Sequence, residues 1–531
     1  MQRFLAAVSD ALRRGDIAGA MSLSDQAVGM GMESIDMLVL AGQYRLRQGR
    51  TDRAHDAFTR ALAMAPDSVE ALNGLGLCLM AMGRAGDAIA SFGAAIPLAP
   101  DLAFLYLHRA QPLEEIGRLR EAKADLEQVL TLDPENVAAL GRVANLCARR
   151  GEMDAARDYA TRALKHGPMS AASIALASAA LAEGDFDAAG AMLSPVAVDP
   201  AAGAINRSIA LGLIGDALDG LGKPADAFMA YTRARAVLRE AVRPMFEQGE
   251  SAIARVRRAT DYFRSCDPAP WRAHRGAAKP VHAFLIGFPR SGTTLLEQAL
   301  ASHPDVRTME EVDCLGAACG EYFHAADGFE RFAALDEAAL ETLRTVYWDA
   351  AASRGIAADR TVFVDKMPLN SVHQGFIARL FPQAKILFAL RDPRDVVLSC
   401  FRRRLILSAQ AYELSTFDGA ARFYDAVMTL AVRYRETLDL PALDLKHEDM
   451  IADFDGGMHR VCGFLGIAFD PATRDFAARS KDRDVKTPSA AQIVRGLNAD
   501  GVGQWRRFAA EFAPILPILA PWVARFGYPE A

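Results

Sequence analysis

Two different spacings of hydrophobic residues divide this chain of 531 residues near position 280. Before that point, apolar residues such as Leu75, Leu79, Ile89 and Phe92 recur at helical spacing, which predicts amphipathic helices. After it, short apolar runs of strand length (VHAFLIG, TVFV and KILFAL) alternate with helical patterns. Such alternation is typical of strand–helix units that build a parallel sheet. The pattern therefore favours a helical N-terminal part followed by an α/β part.

The helical part repeats itself. Four prolines from Pro66 to Pro168 stand 34 residues apart, as do five glycines from Gly15 to Gly151. An alanine follows each of these glycines by five residues, which lets the second helix of a unit pack closely on the first. Each glycine ends the first helix, because glycine readily adopts the positive φ of a helix C-terminus. This register resembles the tetratricopeptide repeat family, and the resemblance implies an α-superhelix over roughly residues 8–240.

Repeat arrays commonly bind peptides on their concave face. Two roles stay open here, because the sequence shows no diagnostic peptide clamp: recruitment of a protein or peptide, and scaffolding or homodimer formation. We assign residues 1–240 to the array. A capping helix and a linker without clear periodicity follow at 241–279, and a second domain occupies 280–531.

A glycine-bearing turn follows the first apolar strand. The chain reads GFPRSGTT from Gly287 onward and then turns helical, so backbone N–H groups and the helix dipole converge on a site for an anion. A loop that binds nucleoside triphosphates carries a lysine after its second glycine. Here Thr293 follows Gly292, and Arg290 stands earlier in the loop. The loop predicts an anion site and argues against a kinase or hydrolase that grips a γ-phosphate.

The segment PRSGTT resembles the 5′-phosphosulfate-binding loop of sulfotransferases, in the form found in protein-tyrosine sulfotransferases and their bacterial relatives. A second segment agrees with it: Arg391 ends the strand KILFAL, and Ser399 follows eight residues later, as in the family's 3′-phosphate motif. The resemblance implies a P-loop-like α/β sulfotransferase domain with a central parallel sheet. Its sulfonate donor would be PAPS (3′-phosphoadenosine-5′-phosphosulfate), the product would be 3′,5′-ADP, and no metal would be required.

The segment around QIVRGLNADGVGQWRRF resembles the closing segment of bacterial sulfotransferases. That resemblance implies that Arg495 and Gly496 lie beside the 3′-phosphate and that Trp505 helps to close the site. Where the family often carries a serine shortly before this tryptophan, the chain has glycine and valine instead. The residues implied for donor binding are Arg290, Ser291, Gly292, Thr293, Thr294, Arg391, Ser399, Arg495 and Gly496.

Sulfonate transfer requires a base that takes the proton of the acceptor hydroxyl. It also requires cations that stabilise the negative charge on the phosphate oxygen of the donor from which the sulfonate departs. The strand TVFV runs into Asp365-Lys366, which resembles the family segment whose lysine faces the transferring group. Glu311 stands 21 residues after Arg290, which is the spacing of the base in tyrosylprotein sulfotransferases. The resemblance implies Glu311 as the base, with Arg290 and Lys366 as the catalytic cations. An ordinary solvated acidic turn is the alternative for Glu311, and we expect His303 to be structural.

The acceptor stays open between a protein tyrosine, a carbohydrate and a small molecule. Asp313 stands where an enzyme that reads acidic peptides needs a basic residue, so we do not predict a tyrosine sulfotransferase. The run Arg402-Arg403-Arg404 either attracts an acidic acceptor or forms a solvated helix face. The alternatives to a sulfotransferase are a P-loop nucleotide kinase or hydrolase, and a non-catalytic repeat scaffold with a degenerate domain.

The composition bears on the binding partners and the cellular location that we expect for this protein. A net charge of −6 gives no reason to expect nucleic-acid binding. We find no run of eighteen apolar residues and no signal peptide, so we expect neither a transmembrane helix nor secretion. The seven cysteines are scattered and form no zinc-binding set, as in a cytoplasmic protein with reduced thiols.

Overall fold

The computed structural model describes residues 2–272, 280–403, 407–477 and 496–530. The chain divides into two compact units, Met1–Ala179 and Ala180–Ala531. The division precedes residue 240, where we placed the end of the repeat array. The reason is that the helices between 203 and 265 pack on the elements that surround the sheet.

The first unit consists of consecutive helices that pack on their neighbours along the chain. Its helices are α1 (Gln2–Arg13), α2 (Ile17–Gly29), α3 (Ile35–Arg47), α4 (Thr51–Met64), α5 (Val69–Ala81), α6 (Ala85–Ala95), α7 (Ala103–Glu115), α8 (Leu119–Leu132), α9 (Val137–Arg150), α10 (Met153–Leu164) and the start of α11 (Ser170–Glu183).

The glycines and alanines that define the 34-residue register have the backbone conformations and burial expected from the sequence. The five glycines from Gly15 to Gly151 have φ between 70° and 79°, so each ends a helix in the left-handed conformation. The alanines that follow them, such as Ala54 and Ala88, are fully buried. The helical repeat architecture predicted from the 34-residue register is therefore confirmed.

The second unit begins with four helices: α12 (Phe186–Val198), α13 (Gly203–Gly220), α14 (Pro224–Phe246) and α15 (Ala252–Ser265). The strands are β1 (Val281–Gly287), β2 (Val306–Glu310), β3 (Val362–Lys366), β4 (Lys385–Leu390) and β5 (Ala442–Lys446). The other helices are α16 (Thr293–Ala301), α17 (Cys314–His324), α18 (Gly328–Ala333), α19 (Glu337–Ala352), α20 (Gln374–Leu380), α21 (Pro393–Arg402), α22 (Ala409–Glu413), α23 (Phe417–Thr437), α24 (His447–Ala452), α25 (Phe454–Leu465), α26 (Ala509–Phe512) and α27 (Leu516–Arg525).

The strands form one sheet in the order β2-β3-β1-β4-β5, and all four neighbouring pairs are parallel. The carboxyl ends of parallel strands meet at one edge, which is where open α/β sheets bind ligands. At this edge Glu310 is paired with Lys366, and Gly287 is paired with Ala389. The α/β fold with a central parallel sheet, predicted from the sequence, is confirmed.

Both faces of the sheet are covered. Phe284 and Phe363 point into a large aromatic core, while Leu285 and Val364 point to the opposite face. Trp271, in the stretch we predicted as a capping helix and linker, is fully buried in the aromatic core. Among the described residues no single helix has both the length and the apolarity to cross a membrane, although the bent pair Phe186–Val198 and Pro200–Gly220 would pass together on length and composition alone.

Candidate active site

The turn after β1 forms an anion cradle, by which we mean residues 290–294. Gly292 is the N-cap of α16 and has a φ of 93°. A Cβ atom at this position would lie 2.6 Å from Nδ1 of His447, so the turn requires glycine. Ser291, Thr293 and Thr294 are buried around the first turn of α16, where an α-helix has N–H groups without partners inside the helix itself. The structure thus brings these four predicted residues to one helix N-terminus.

Two residues other than glycine have a left-handed backbone among those that the structure describes. They are Arg290, with a φ of 73°, and Glu311, with a φ of 45°. Such conformations are uncommon outside glycine and concentrate at functional sites. Backbone geometry therefore singles out two of the three residues that the sequence motifs propose for catalysis, the third being Lys366.

The side chains of Arg290, Arg391 and Ser399 form a group beside the cradle that we call the cationic corner. Nε of Arg290 donates to Oγ of Ser399 at 3.0 Å, and Nη1 of Arg391 donates to the carbonyl oxygen of Arg290 at 3.1 Å. Burial, followed by the nearby charge of Arg403, lowers the pKa of Arg290 to about 10, and Arg391 adds to this effect. Like charges held this close favour an anionic ligand between them. Three residues predicted from two separate motifs thus meet in space.

The predicted catalytic pair lies on β3 and just after β2. Lys366 is fully buried, and its Nζ lies 2.8 Å from Oε1 of Glu311 and 3.7 Å from Oε1 of Glu310. The side chain of Glu311 is 31% exposed, so a substrate can reach it. Glu311 also lies within electrostatic reach of Arg290, because its charge acts to raise the pKa of that guanidinium. The lysine–carboxylate pair and the cationic corner therefore belong to one site.

The arginine run after Ser399 is engaged in ion pairs. Arg402 lies 3.1 Å from Asp216 and 3.0 Å from Asp219, and Arg403 lies 2.7 Å from Asp216. The side chain of Arg402 is only 9% exposed, so it is neither a solvated helix face nor free to attract an acidic acceptor. Arg404 lies outside the described residues.

The C-terminal segment reaches the cationic corner through its backbone. Nη2 of Arg391 donates to the carbonyl oxygen of Gly501. Gly496 has a φ of 81° and lies next to Ala477. Arg495 lies outside the described residues, so its predicted contact with a 3′-phosphate stays a prediction.

Trp505 is buried against the N-terminal end of α21. The guanidinium carbon of Arg394 lies 3.8 Å from the centre of a Trp505 ring. The carboxylate of Asp395 accepts N–H groups from Gly503 at 2.6 Å and from Trp505 at 2.9 Å. Burial raises the pKa of Asp395, while Arg391 and the two backbone bonds act in the opposite direction. This part of the segment packs on the helix that carries Ser399.

His447 is a site residue that the sequence reasoning missed. It begins α24 directly after β5, and its Nδ1 lies beside Gly292 of the cradle. Burial, then the charges of Arg391 and Arg290, lower the pKa of His447 to about 3. Nδ1 is buried without a hydrogen-bond partner among the described residues. Like Arg391, His447 directly follows a strand, and that position could have identified it as a site residue. The strand segment ALDLK is too polar, however, to be recognised as a strand from the sequence.

His303 has the structural role that we expected. Its Nε2 lies 2.9 Å from the carbonyl oxygen of Ala468. Its Nδ1 accepts the N–H of Asp305 at 3.1 Å. Both ring nitrogens are therefore engaged within the fold.

Residues 282–471 match the sulfotransferase family model, and residues 39–103 and 109–169 match the tetratricopeptide repeat model. Protein-tyrosine sulfotransferase 1 of Danio rerio is 25% identical over 259 residues, which are 46% of this chain and 71% of that protein. An uncharacterised protein of Aquifex aeolicus is 24% identical over 268 residues, which are 48% of this chain and 34% of that protein. This chain thus spans about a third of the length of the Aquifex protein.

Among solved structures, the sulfotransferase domain of the Synechococcus PCC 7002 olefin synthase is similar with a TM-score of 0.33 and 23% identity, covering 44% of this chain and 90% of that one. The sequence matches and the parallel sheet agree on the C-terminal part, and the repeat matches fall within the helical units. The chain therefore carries tetratricopeptide repeats in its N-terminal part and a domain of the sulfotransferase family in its C-terminal part.

Proposed function

We propose that this chain transfers a sulfonate group from PAPS to an acceptor hydroxyl and releases 3′,5′-ADP. One observation carries the proposal: an anion cradle without the triphosphate-binding lysine is joined through Arg290 to Arg391 and Ser399. A ligand with two separate anionic groups on one nucleotide matches this arrangement. The match of residues 282–471 to the sulfotransferase family supports the same chemistry.

The donor site consists of the cradle and the cationic corner. In this proposal Ser291, Gly292, Thr293 and Thr294 hold the 5′-phosphosulfate with N–H and hydroxyl groups. Arg391 and Ser399 hold the 3′-phosphate, with Arg495 and Gly496 completing that end. Arg290 lies between the two ends, because its backbone belongs to the cradle and its side chain reaches Ser399.

Transfer is an in-line displacement in which the protein mainly positions the reactants and stabilises charge. The acceptor oxygen forms a bond to sulfur, and the bond from sulfur to the bridging phosphate oxygen breaks. Glu311 takes the proton of the acceptor hydroxyl, and its partial exposure makes it accessible. Negative charge collects on the 5′-phosphate of 3′,5′-ADP, where Lys366 and Arg290 stabilise it.

Binding in the absence of magnesium separates this proposal from a nucleotide kinase or hydrolase. We expect calorimetry to show that 3′,5′-ADP binds the full chain equally well with EDTA or with magnesium, since no metal takes part. ATP should bind weakly under both conditions. Magnesium-dependent ATP binding without 3′,5′-ADP binding would contradict the proposal.

Measuring turnover distinguishes the proposed sulfotransferase from a non-catalytic scaffold. We expect labelled PAPS to transfer its sulfonate to at least one acceptor in a panel of tyrosine peptides, carbohydrates and phenols. Comparing sulfated products of a deletion strain with its parent by mass spectrometry would identify the acceptor class.

We propose that the repeat array recruits a protein acceptor or joins two copies of the chain, and deletion of residues 1–179 distinguishes these roles from catalysis itself.

A further inference from the structure

The helix that carries Ser399 ends against a helix from the repeat region. The carbonyl groups of Cys400 and Phe401 lie in the last turn of α21, where an α-helix has no N–H groups of its own to satisfy them. Arg235 of α14 supplies the missing donors. Its Nε lies 2.6 Å from the carbonyl oxygen of Phe401, and its Nη2 lies 3.4 Å from that of Cys400.

The position of Arg235 is electrostatically favourable. Its guanidinium lies at the negative end of the α21 dipole, where a cation stabilises a helix. The residue is only 7% exposed, so its charge is largely removed from water and these hydrogen bonds help to compensate for that loss. Arg235 therefore joins α14 to the end of α21 through a buried contact rather than a solvated one.

The neighbouring helix α13 holds the side chains at the same end of α21. The carboxylate of Asp216 accepts from Arg402 at 3.1 Å, from Arg403 at 2.7 Å and from the hydroxyl of Tyr231 at 2.9 Å. Asp219 adds a second carboxylate 3.0 Å from Arg402. The last turn of α21 is thus fixed by both helices of the pair α13–α14.

This last turn adjoins the donor site directly. Ser399 accepts from Nε of Arg290, and Cys400 donates its Sγ–H to the carbonyl oxygen of Pro289 at 3.3 Å. A shift of the turn would move Ser399 relative to the cradle. Helix α13 and most of α14 lie within the predicted repeat region 1–240, yet both helices belong to the compact unit that contains the sheet.

We propose that Arg235 is a positioning residue of the donor site, which holds the last turn of α21 so that Ser399 faces the 3′-phosphate. The helix pair α13–α14, which the repeat pattern generates, is then a part of the donor site. This inference rests on the proposed function, because the 3′-phosphate is the group that Ser399 would bind.

The test compares two nucleotides in the full chain. Calorimetry measures the Kd of 3′,5′-ADP and of 5′-AMP, which lacks the 3′-phosphate, for wild type, Arg235→Met and Arg235→Lys. We expect Arg235→Met to raise the Kd of 3′,5′-ADP about tenfold and to leave that of 5′-AMP unchanged. We expect about a threefold rise for Arg235→Lys, because an ammonium group can still donate to one carbonyl. Arg233→Met, on the exposed side of α14, is the matched control and should change neither Kd.

A merely structural role gives a different result. The melting temperature of the Arg235 variants would then fall while the Kd of 3′,5′-ADP stayed at the wild-type value, and that outcome overturns the inference. An equal loss for both nucleotides overturns it as well. If Arg235→Met does not fold, Arg235→Lys carries the comparison. Failure of wild type to bind 3′,5′-ADP contradicts the proposed function instead, so the two failures are distinguishable.

Discussion

Arg290 and Glu311 show how the site is encoded at the scale of single residues. Each was proposed from a motif, and each has a left-handed backbone that a residue with a Cβ atom adopts at a cost of about 1 kcal/mol. For Glu311 this conformation accompanies the bond from its N–H to the carbonyl oxygen of Lys366, 2.9 Å long. The strained turn places the carboxylate over the end of β3, beside the buried ammonium group.

Glu311→Gln tests the proposed base. The amide cannot take a proton, so we expect turnover to fall about 10²–10⁴-fold, while the Kd of 3′,5′-ADP changes little because the proposal assigns Glu311 to the acceptor and not to the nucleotide. Rates of sulfonate transfer and calorimetry measure the two effects. Glu310→Gln is the matched comparison, since Glu310 lies 3.7 Å from Lys366, and it should lose much less activity. Retention of the wild-type rate by Glu311→Gln would show that another group is the base.

Asp365, which precedes Lys366 on β3, predicts a dependence of stability on pH. Burial raises its pKa to about 7, while the hydroxyl of Tyr347, which donates to it at 2.8 Å, acts in the opposite direction. The unfolded chain loses this proton near pH 4 and the folded chain near pH 7, so the folded state is progressively destabilised as the pH rises between these values. Asp365→Asn has no such proton to lose.

We therefore expect Asp365→Asn to gain about 2 kcal/mol in free energy of unfolding relative to wild type when the pH is raised from 5 to 7. Urea unfolding followed by tryptophan fluorescence measures it, and all four tryptophans lie in residues 180–531. Parallel stability curves for the two proteins across this range would contradict the assignment.

At the scale of elements, α21 connects the sheet edge, the C-terminal segment and the repeat-derived helices. Its N-terminal end is capped by Asp392 and packs on Trp505, and its C-terminal end is held by Arg235. Ser399 lies between these two contacts. A helix held at both ends keeps the side chain of Ser399 in one place. In the proposed function this lowers the entropy that is lost when the 3′-phosphate binds.

The buried ion pairs at the end of α21 predict a large effect on stability. Arg402→Met removes a cation from two carboxylates, and the side chain of Asp219 is only 7% exposed. We expect a loss of about 2 kcal/mol in the free energy of unfolding, because two buried carboxylates each lose one of the two arginines that they pair with. Arg422→Met is the control: Arg422 pairs with Asp418 in solvent, so its loss should cost less than about 0.5 kcal/mol. Equal effects of the two substitutions would show that the buried pairs do not stabilise the fold.

At the scale of the whole molecule, the compact units do not coincide with the predicted domains. The repeat pattern extends to about residue 240, whereas the second unit begins at Ala180. The last repeat-like helices therefore serve the α/β unit as part of its packing.

Two shortened chains test this division. We expect a chain that begins at Ala180 to fold and to bind 3′,5′-ADP with a Kd within about threefold of the full chain, since the donor site and its supports lie in one unit. A chain that begins at residue 241 lacks Asp216 and Arg235, so we expect lower stability and at least about tenfold weaker binding. Calorimetry and urea unfolding measure both. Wild-type affinity in the shorter chain would contradict a role of α13–α14 in the donor site.

Features that depend on neighbouring residues were predictable from the sequence. The 34-residue register specified the helix ends, because a glycine with positive φ is a local requirement. The strand–turn–helix pattern around Gly292 predicted the cradle for the same reason. The motif spacings also named Arg290, Arg391 and Ser399, which the fold then brought together.

Contacts between distant segments follow from the three-dimensional packing and have no signature in the sequence. Asp216 and Arg403 are 187 residues apart in the chain, and no local pattern indicates that they pair. His447 reaches the cradle only because β5 lies at the edge of the sheet beside β4. The physical reason is that periodicity and turn chemistry are read within a few residues, whereas strand order and helix packing decide which distant side chains meet. Local patterns thus predict most helices and strands and the cradle between β1 and α16, whereas the packing of distant segments sets what surrounds and supports that cradle.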